Sequence, residues 1–509
     1  MQIPKPYESF AWKLLFVSYK RKRSASPAFL CGILLFFLFS SSIRVLSQPN
    51  ARLDHNPNTG TITCDTITTP YVILQEIIIQ GNAITKEKII LREIGYKEGD
   101  TIPANILSTQ LLWIKNRIFN TTLFLWVDLD LTGNDSYYKT LSIGLRERFF
   151  LTILPTGGLA DRNFNEWWQT RHHNLNRIYY GINLKVKNIF GLNHTLKVVT
   201  NLGFNQKIET NYIIPYITRK LKTGLTINAL LVHNRQVAFR TYHHKLDYFE
   251  DPSFGRRRYR VEAIFTYRKK FYIQHQVGPY FQYTVITDTI ASLNPKYFLD
   301  GGTYQRSIGL KYSYSHDKRD FINYPLKGYI LRIDTDFQRL ISRTTLNVAS
   351  LRAEYTHFIP LRKNLYFATS IRGKISSPFQ QPYFSQRGLG YNNDFVSGYE
   401  LYVVDGQWYG LIKNNLRYRI LSINPTVKAV PLRKFRTIPL SIYFKIYSDA
   451  GYVVDNTYNP YNNFLSNRLL VGGGAGIDIV TYYDIVGRIE YSVNQLGQTG
   501  IYLHVKAGL

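Results

Sequence analysis

From Ile178 to the end of the chain, apolar and polar residues alternate with a period of two. This is the pattern of strands whose successive side chains face opposite ways. In Tyr329 to Phe337 one face carries Tyr329, Leu331, Ile333, Thr335 and Phe337, and the other carries Arg332, Asp334 and Asp336. Leu440, Ile442, Phe444 and Ile446 alternate in the same way with Ser441, Tyr443, Lys445 and Tyr447. Charges set between apolar residues do not fit a core closed on both sides. They fit a sheet with lipid on one face and water on the other. About sixteen such segments start near Ile178, an even number, which predicts a closed transmembrane antiparallel β-barrel over residues 150–509. The last segment places Ile501, Leu503 and Val505 on one face and Tyr502, His504 and Lys506 on the other, with Gly500 near its start.

Residues 71–149 have a different rhythm. Tyr71 to Gln80 is a β-branched run that ends at the turn pair Gly81-Asn82. Thr85 is placed to cap a helix that has Glu87 in its first turn. Ile90 and Ile94 share one face of that helix, and Gly95 and Gly99-Asp100 end it. A second helix follows Pro103, with Leu107, Leu111, Ile114 and Ile118 as its apolar stripe. Two strands, Leu123 to Leu131 and Thr140 to Phe149, complete a small α+β domain of order β-α-α-β-β. The expected fold class is therefore mainly β, a barrel preceded by this domain.

Lys20 to Arg23 precede an apolar run from Ala28 to Phe39 and the small residues Ser40 to Ser42. This predicts a signal peptide over residues 1–47, the alternative being an uncleaved anchor. The polar stretch 48–70 reads as a linker. The 63 Lys+Arg against 34 Asp+Glu give a net charge of +29. These cations are spread along alternating strands and form no single patch, so anionic lipid is the expected partner and nucleic acid is not. The 40 Tyr and 30 Phe suit strands, and a mean hydropathy of −0.19 excludes a bundle of membrane helices. Cys31 lies in the signal segment, which leaves Cys64 and no disulfide framework. No phosphate-binding loop, zinc-protease helix or nucleophile elbow occurs. His172-His173 and His243-His244 are adjacent pairs whose side chains diverge on a strand, and they read as loop or interface residues. No enzyme, no cofactor and no metal site is expected.

Several motifs resemble one family. Gly81, Asn82, Thr85, Arg92, Glu93, Gly99, Asp100 and Phe119 are spaced as in a POTRA domain, the periplasmic repeat of the BamA/TamA superfamily. Asp317, Arg319, Asp320, Pro325 and Gly328, within DKRDFINYPLKG, resemble the superfamily's hairpin signature of strand end, tight turn and strand start. Asp161 to Trp168, Asp449-Ala450-Gly451 and Gly472 to Gly476 resemble further segments of it. Val396-Ser397-Gly398-Tyr399, followed by Glu400 and Asp405-Gly406, resembles the loop that folds back into the family's barrel. In the family an arginine stands where Ser397 stands here. A guanidinium can hold a wall carboxylate bidentately and a serine cannot. Arg387, upstream in the same loop, is the candidate substitute.

The resemblance implies an assembly or translocation factor in the bacterial outer membrane, with its POTRA-like domain in the periplasm. Such a factor inserts or exports unfolded β-rich clients through a seam between its first and last barrel strands. Those strands are expected near Arg177 to Lys187 and at Gly500 to Gly508. The POTRA-like sheet edge would take up clients by β-augmentation. The implied partners are unfolded outer-membrane or exported proteins, outer-membrane lipids, and periplasmic chaperones or accessory lipoproteins. Ser397 and the room for a single POTRA-like domain leave an alternative, a paralogue that is a barrel scaffold or passive channel without insertase activity. Gly500, Tyr502, Leu503 and Val505 also resemble the C-terminal strand signal of barrel proteins, with Leu509 where an aromatic residue is usual.

Overall fold

The computed structural model describes residues 61–64, 67, 69–133, 135–159, 172–391, 393–425, 439–456, 463–481 and 485–506. All of them belong to one compact unit. The expected signal peptide, the motif Asp161 to Trp168 and the last three residues lie outside the described residues.

The small domain is built from β1 (Ile62–Cys64), β2 (Tyr71–Gln80), α1 (Glu87–Ile94), β3 (Thr101–Pro103), α2 (Ala104–Asn120), β4 (Phe124–Thr132) and β5 (Tyr138–Glu147). Its sheet runs β1-β4-β5-β2-β3. The expected strands and helices are present, with two additions. β3 is a short strand on β2 that the Gly99-Asp100 turn makes possible, and β1 falls inside the stretch read as linker. The α2 stripe Leu107, Leu111, Ile114 and Ile118 is buried against Val72, Leu74, Val127 and Leu129 of the sheet. Thr85 does not cap α1. Lys86 occupies the cap position without a side-chain bond. The Thr85 hydroxyl is drawn away by a buried carboxylate, donating to Glu147 Oε1 at 2.6 Å and accepting from Asn188 Nδ2 at 2.8 Å.

The second sheet has sixteen antiparallel strands and forms the barrel. They are β6 (Leu151–Leu159), β7 (Ile178–Ile189), β8 (His194–Gly203), β9 (Gln206–Ile214), β10 (Thr223–Asn234), then β13 (Arg256–Lys270), β14 (Ile273–Ile286), β15 (Tyr304–Asp317), β16 (Gly328–Ile341), β17 (Thr345–Arg362), β18 (Leu365–Ser377), β19 (Trp408–Ile423), β20 (Leu440–Val454), β21 (Leu469–Thr481), β22 (Ile485–Asn494) and β23 (Thr499–Lys506). A hairpin of β11 (Gln236–Tyr242) and β12 (Lys245–Glu250) stands between β10 and β13. The first barrel strand is therefore β6, and the segment Arg177 to Lys187, expected to be first, falls on β7 from Ile178 onward, with Arg177 ending the turn before it. The sequence of β6, LTILPTGGL, hides it, because a proline and two glycines read as a break.

The alternation sorts as expected. On β20, Ser441, Tyr443, Lys445 and Tyr447 are buried inside, while Phe444 and Ile446 are 40% and 53% exposed on the outer face. Similar exposed apolar residues recur on every barrel strand from β6 to β23. That surface is far larger than the roughly few hundred Å² patch of a soluble monomer, and lipid is what covers it. No helix among the described residues is long and apolar enough to cross a membrane.

The small domain docks on the turns at one end of the barrel. Glu93 is buried there, receiving Arg92 Nη1 at 2.6 Å and Arg268 Nη1 and Nη2 at 2.8 and 3.1 Å. Arg92 Nε donates to the Leu221 carbonyl at 2.6 Å. Arg117 stacks 3.9 Å over Phe271, and Phe119 meets Phe321 edge to face at 5.6 Å. Gly81 turns the chain out of β2, Asn82 donates to the Thr85 carbonyl, and Asp100 accepts the Lys97 amide. The Glu93→Ala variant leaves Arg268 without its carboxylate in this buried contact, at a cost of about 3 kcal/mol. Hydrogen exchange should rise at α1 and at the turn before Ile273, with the β20 amides unchanged. Equal protection in both forms would show that the contact does not hold the domain.

Candidate functional site: the lumen loop and the seam

Residues 378–407 join β18 to β19 and turn into the barrel. Leu389, Val396, Tyr399 and Val404 are buried in one cluster with Tyr409, Leu411, Val453, Leu465 and Leu470. The loop backbone lies directly on the wall. A Cβ on Gly472 would sit 1.8 Å from the Ser397 carbonyl oxygen, and one on Gly398 would sit 2.9 Å from Asn494 Cβ. Gly398 also needs its left-handed φ of +84°, so both positions require glycine.

Ser397 meets a carboxylate, and a cation is present, but neither it nor the carboxylate is on the loop. The Ser397 amide and hydroxyl donate to Asp449 Oδ2 at 3.0 and 2.5 Å. Lys413 Nζ, from β19, donates to the same oxygen at 2.5 Å and to the Phe395 carbonyl at 2.8 Å. Asp449 is almost wholly buried. Arg387 is elsewhere: its guanidinium stacks over Phe384 and Tyr391, and its carbonyl accepts Lys374 Nζ. The charge expected on the loop at the arginine position is thus supplied by a wall lysine.

A second centre, unseen in the sequence, holds the loop higher up. Asp394 Oδ1 accepts from Arg352 Nη2 at 2.9 Å and Arg372 Nη1 at 3.2 Å, and its Oδ2 accepts from the Tyr409 hydroxyl at 2.8 Å. Tyr391 donates to Asp405 at 2.5 Å. Charges on alternate wall positions were the available signal, but nothing in the sequence pairs them with Asp394.

The loop also braces the last strands. Asn494 Nδ2 donates to the Gly398 carbonyl at 2.7 Å, and Gln498 Nε2 to the Tyr402 hydroxyl at 2.8 Å. Phe395 stacks on His504 of β23 at 5.9 Å, and Glu400 faces Tyr502. At the opposite end the hairpin motif reaches the same wall. It is no tight turn: residues 318–327 intervene between β15 and β16. Arg319 grips Asp317 through Nε at 2.8 Å and Nη2 at 2.5 Å. Asp320 accepts the amides of Phe321 and Leu326, while burial pushes its carboxyl up to about 6. The Pro325 carbonyl accepts Arg417 Nη1, and Gly328 takes a left-handed φ of +98°. Tyr324 enters the barrel and donates to Asp478 Oδ2 at 2.9 Å, beside Lys445, whose Nζ is 2.9 Å from Asp478 Oδ1.

The sheet's end strands are β6 and β23. Among the described residues no ladder joins Leu151–Leu159 to Thr499–Lys506. Gly500 pairs with Ser492 and Val505 with Gly487 on β22, and Leu503 is 73% exposed on the outer face.

Removal of the wall cation in the Lys413→Ala variant leaves Asp449 with serine alone, a loss of about 3 kcal/mol. The unfolding temperature of the compact barrel, read from gel mobility after heating, should fall. Ser397→Arg should also lower it, because two cations then crowd one carboxylate, and Lys413→Ser added to Ser397→Arg should restore it. An unchanged transition in Lys413→Ala would remove this centre from any role in holding the loop.

His244, at the tip of the β11–β12 hairpin, is buried between two other loops. Leu465 N–H donates to its Nε2 at 2.7 Å, so the ring proton sits on Nδ1, which faces the Val403 carbonyl at 3.2 Å. Burial lowers its pKa from 6.5 to about 4, and His243 adds to the effect. The neutral ring is the bonded form, so its contribution is complete above pH 6.5 and is lost as pH falls from 6.5 towards 4. Protease cleavage in 243–250 should increase over that window in the wild type. In His244→Gln the dependence on pH should vanish; a dependence that persists there would place the titrating group elsewhere.

Residues 188–493 match the Omp85 superfamily domain. No curated protein sequence matches the chain. Among solved structures, it is similar to CdiB from Escherichia coli at 11% identity, with 93% of this chain and 95% of that one covered and a TM-score of 0.50. It is also similar to CdiB from Acinetobacter baumannii, at 14% identity over 85% and 74% with a TM-score of 0.47. BamA from Haemophilus ducreyi lacking POTRA domains 1-3 matches at 12% identity over 86% and 85%, with a TM-score of 0.46. The family match spans more than half of the sequence and includes the lumen loop and most of the barrel strands, so this chain belongs to the Omp85 superfamily, whose barrels serve protein insertion or secretion at the bacterial outer membrane.

Proposed function

We propose that this chain inserts or exports unfolded β-rich clients through the seam between β6 and β23, with the small domain acting as a POTRA-like receiver in the periplasm. The observation that carries the reading is the pair of end strands with no ladder between them among the described residues. Unpaired N–H and C=O groups in lipid are costly, and a client strand satisfies them as it adds. β6 is suited to exchange. Pro155 has no N–H to offer, and Gly157 and Gly158 stiffen the strand little. Leu151 and Ile153 on one side, and Ile501 and Leu503 on the other, present apolar outer faces to the same lipid. A loop that turns into the barrel and packs on its wall argues against the alternative of a passive channel. No cofactor enters this chemistry, since strand exchange is driven by pairing and burial.

The test uses the full chain in liposomes with an unfolded, heat-modifiable outer-membrane protein. Ile153→Cys is combined with single cysteines scanned along 499–506, and folding of the client is followed by gel mobility. Oxidation of a pair that cross-links should abolish the acceleration over empty liposomes, and reduction should restore it. Equal acceleration with the seam locked, or none at all with it free, would sink the reading.

A further inference from the structure

The small domain's sheet edge is already occupied. β1 runs parallel along β4, with Ile62 opposite Leu129, Thr63 opposite Asp130 and Cys64 opposite Leu131. The Leu129 amide donates to the Thr61 carbonyl at 3.1 Å. Two carboxylates at alternate β4 positions read the side chains. The Thr61 amide and hydroxyl donate to Asp128 Oδ1 at 2.6 and 2.9 Å, and the Thr63 hydroxyl donates to Asp130 Oδ1 at 2.5 Å. Between them Ile62 packs on the domain core.

The arrangement has the form of a recognition site. Main-chain bonds fix an extended segment, and side-chain positions then select it. Two carboxylates one strand period apart accept hydrogen bonds from hydroxyls and repel acids. The inward position takes an aliphatic side chain. A hydroxyl–apolar–hydroxyl triplet meets all three demands, and the chain offers it again as Thr66-Ile67-Thr68. The seated strand is short: β1 has three residues and β4 has nine. Along Phe124 to Asp128 the same edge carries no strand among the described residues. A longer segment with the same triplet would keep every contact of β1 and add backbone bonds beyond it.

We propose that the β4 edge is a strand-accepting site selective for a hydroxyl–apolar–hydroxyl triplet, and that Thr61-Ile62-Thr63 is its built-in occupant, displaced by a client segment of the same pattern. This inference rests on reading the small domain as a client receiver. It makes the resting protein self-capped and gives the first step of client uptake a sequence preference.

The test measures fluorescence anisotropy of labelled extended peptides with the full chain in nanodiscs. The peptides differ only in a central Thr-Ile-Thr, Val-Ile-Val or Asp-Ile-Asp. Thr61→Val combined with Thr63→Val weakens the occupant and should tighten binding of the Thr-Ile-Thr peptide about tenfold. In that variant the order should be Thr-Ile-Thr, then Val-Ile-Val, then Asp-Ile-Asp. Asp130→Ala, at a partly exposed position, should erase most of the preference for threonine over valine; Asp128 is left in place because it is the carboxylate that favours the charge on buried Lys115. Equal affinity for the threonine and valine peptides, or no gain on weakening the occupant, would overturn the proposal. Client folding is measured on the same preparations. Peptide selectivity without faster folding defeats the insertase reading and leaves the edge site standing, and faster folding without selectivity defeats the edge site alone.

Discussion

A strand in lipid has no water to satisfy its backbone, so each N–H and C=O must find a partner in the next strand. Every barrel strand from β7 to β22 has a neighbour on both sides. The burden falls on β6 and β23, and much else in the molecule can be understood as the management of those two edges. The lumen loop, the turn at the small-domain end and the composition of β6 each bear on how firmly those edges are held.

The two edges are not equivalent. β22 and β23 are held from one end by the loop, through Asn494, Gln498 and His504. From the other end Tyr324 and Leu326 pack with Tyr443, Val480 and Val486, and Tyr324 binds Asp478. That same turn touches the small domain, where Asn120 Nδ2 donates to the Asp320 carbonyl at 3.0 Å. The C-terminal wall is therefore braced at top and bottom. β6, with Pro155 and Gly157-Gly158, has a sequence that weakens pairing. The two borders of the sheet thus differ, one braced by contacts and one with a sequence that weakens pairing.

The period-two alternation made the barrel legible because it is a local signal, carried by each strand alone, as on β20. The α2 stripe was legible for the same reason. The start of the barrel was not, since β6 contains the residues that normally break strands, and only edge position makes them tolerable. Thr85 looked like a cap because capping is a local rule. A carboxylate 62 residues away overrode it. The lumen loop could be located by its motif, but its electrostatics could not be read. Which cation meets Asp449 depends on β19 and β20 lying side by side, with Lys413 opposite Asp449 in the register.

That register changes what the loop costs to move. With an arginine on the loop, withdrawal would strip a buried wall carboxylate of its cation, a penalty of about 3–5 kcal/mol. Here Lys413 and Asp449 belong to adjacent strands and stay paired whether the loop is in or out. At this carboxylate, withdrawal removes only the Ser397 amide and hydroxyl, hydrogen bonds to a charged group worth a net of about 1.5–3 kcal/mol each. The serine thus makes the loop a lighter latch on a wall that remains neutralised. The loop's own Asp394, held by Arg352, Arg372 and Tyr409, and the apolar contacts of Leu389, Val396 and Val404 then carry its retention. An arginine clamp concentrates that retention in one charge pair. This chain spreads it over Asp394 with its two arginines, the Ser397 contacts and apolar packing.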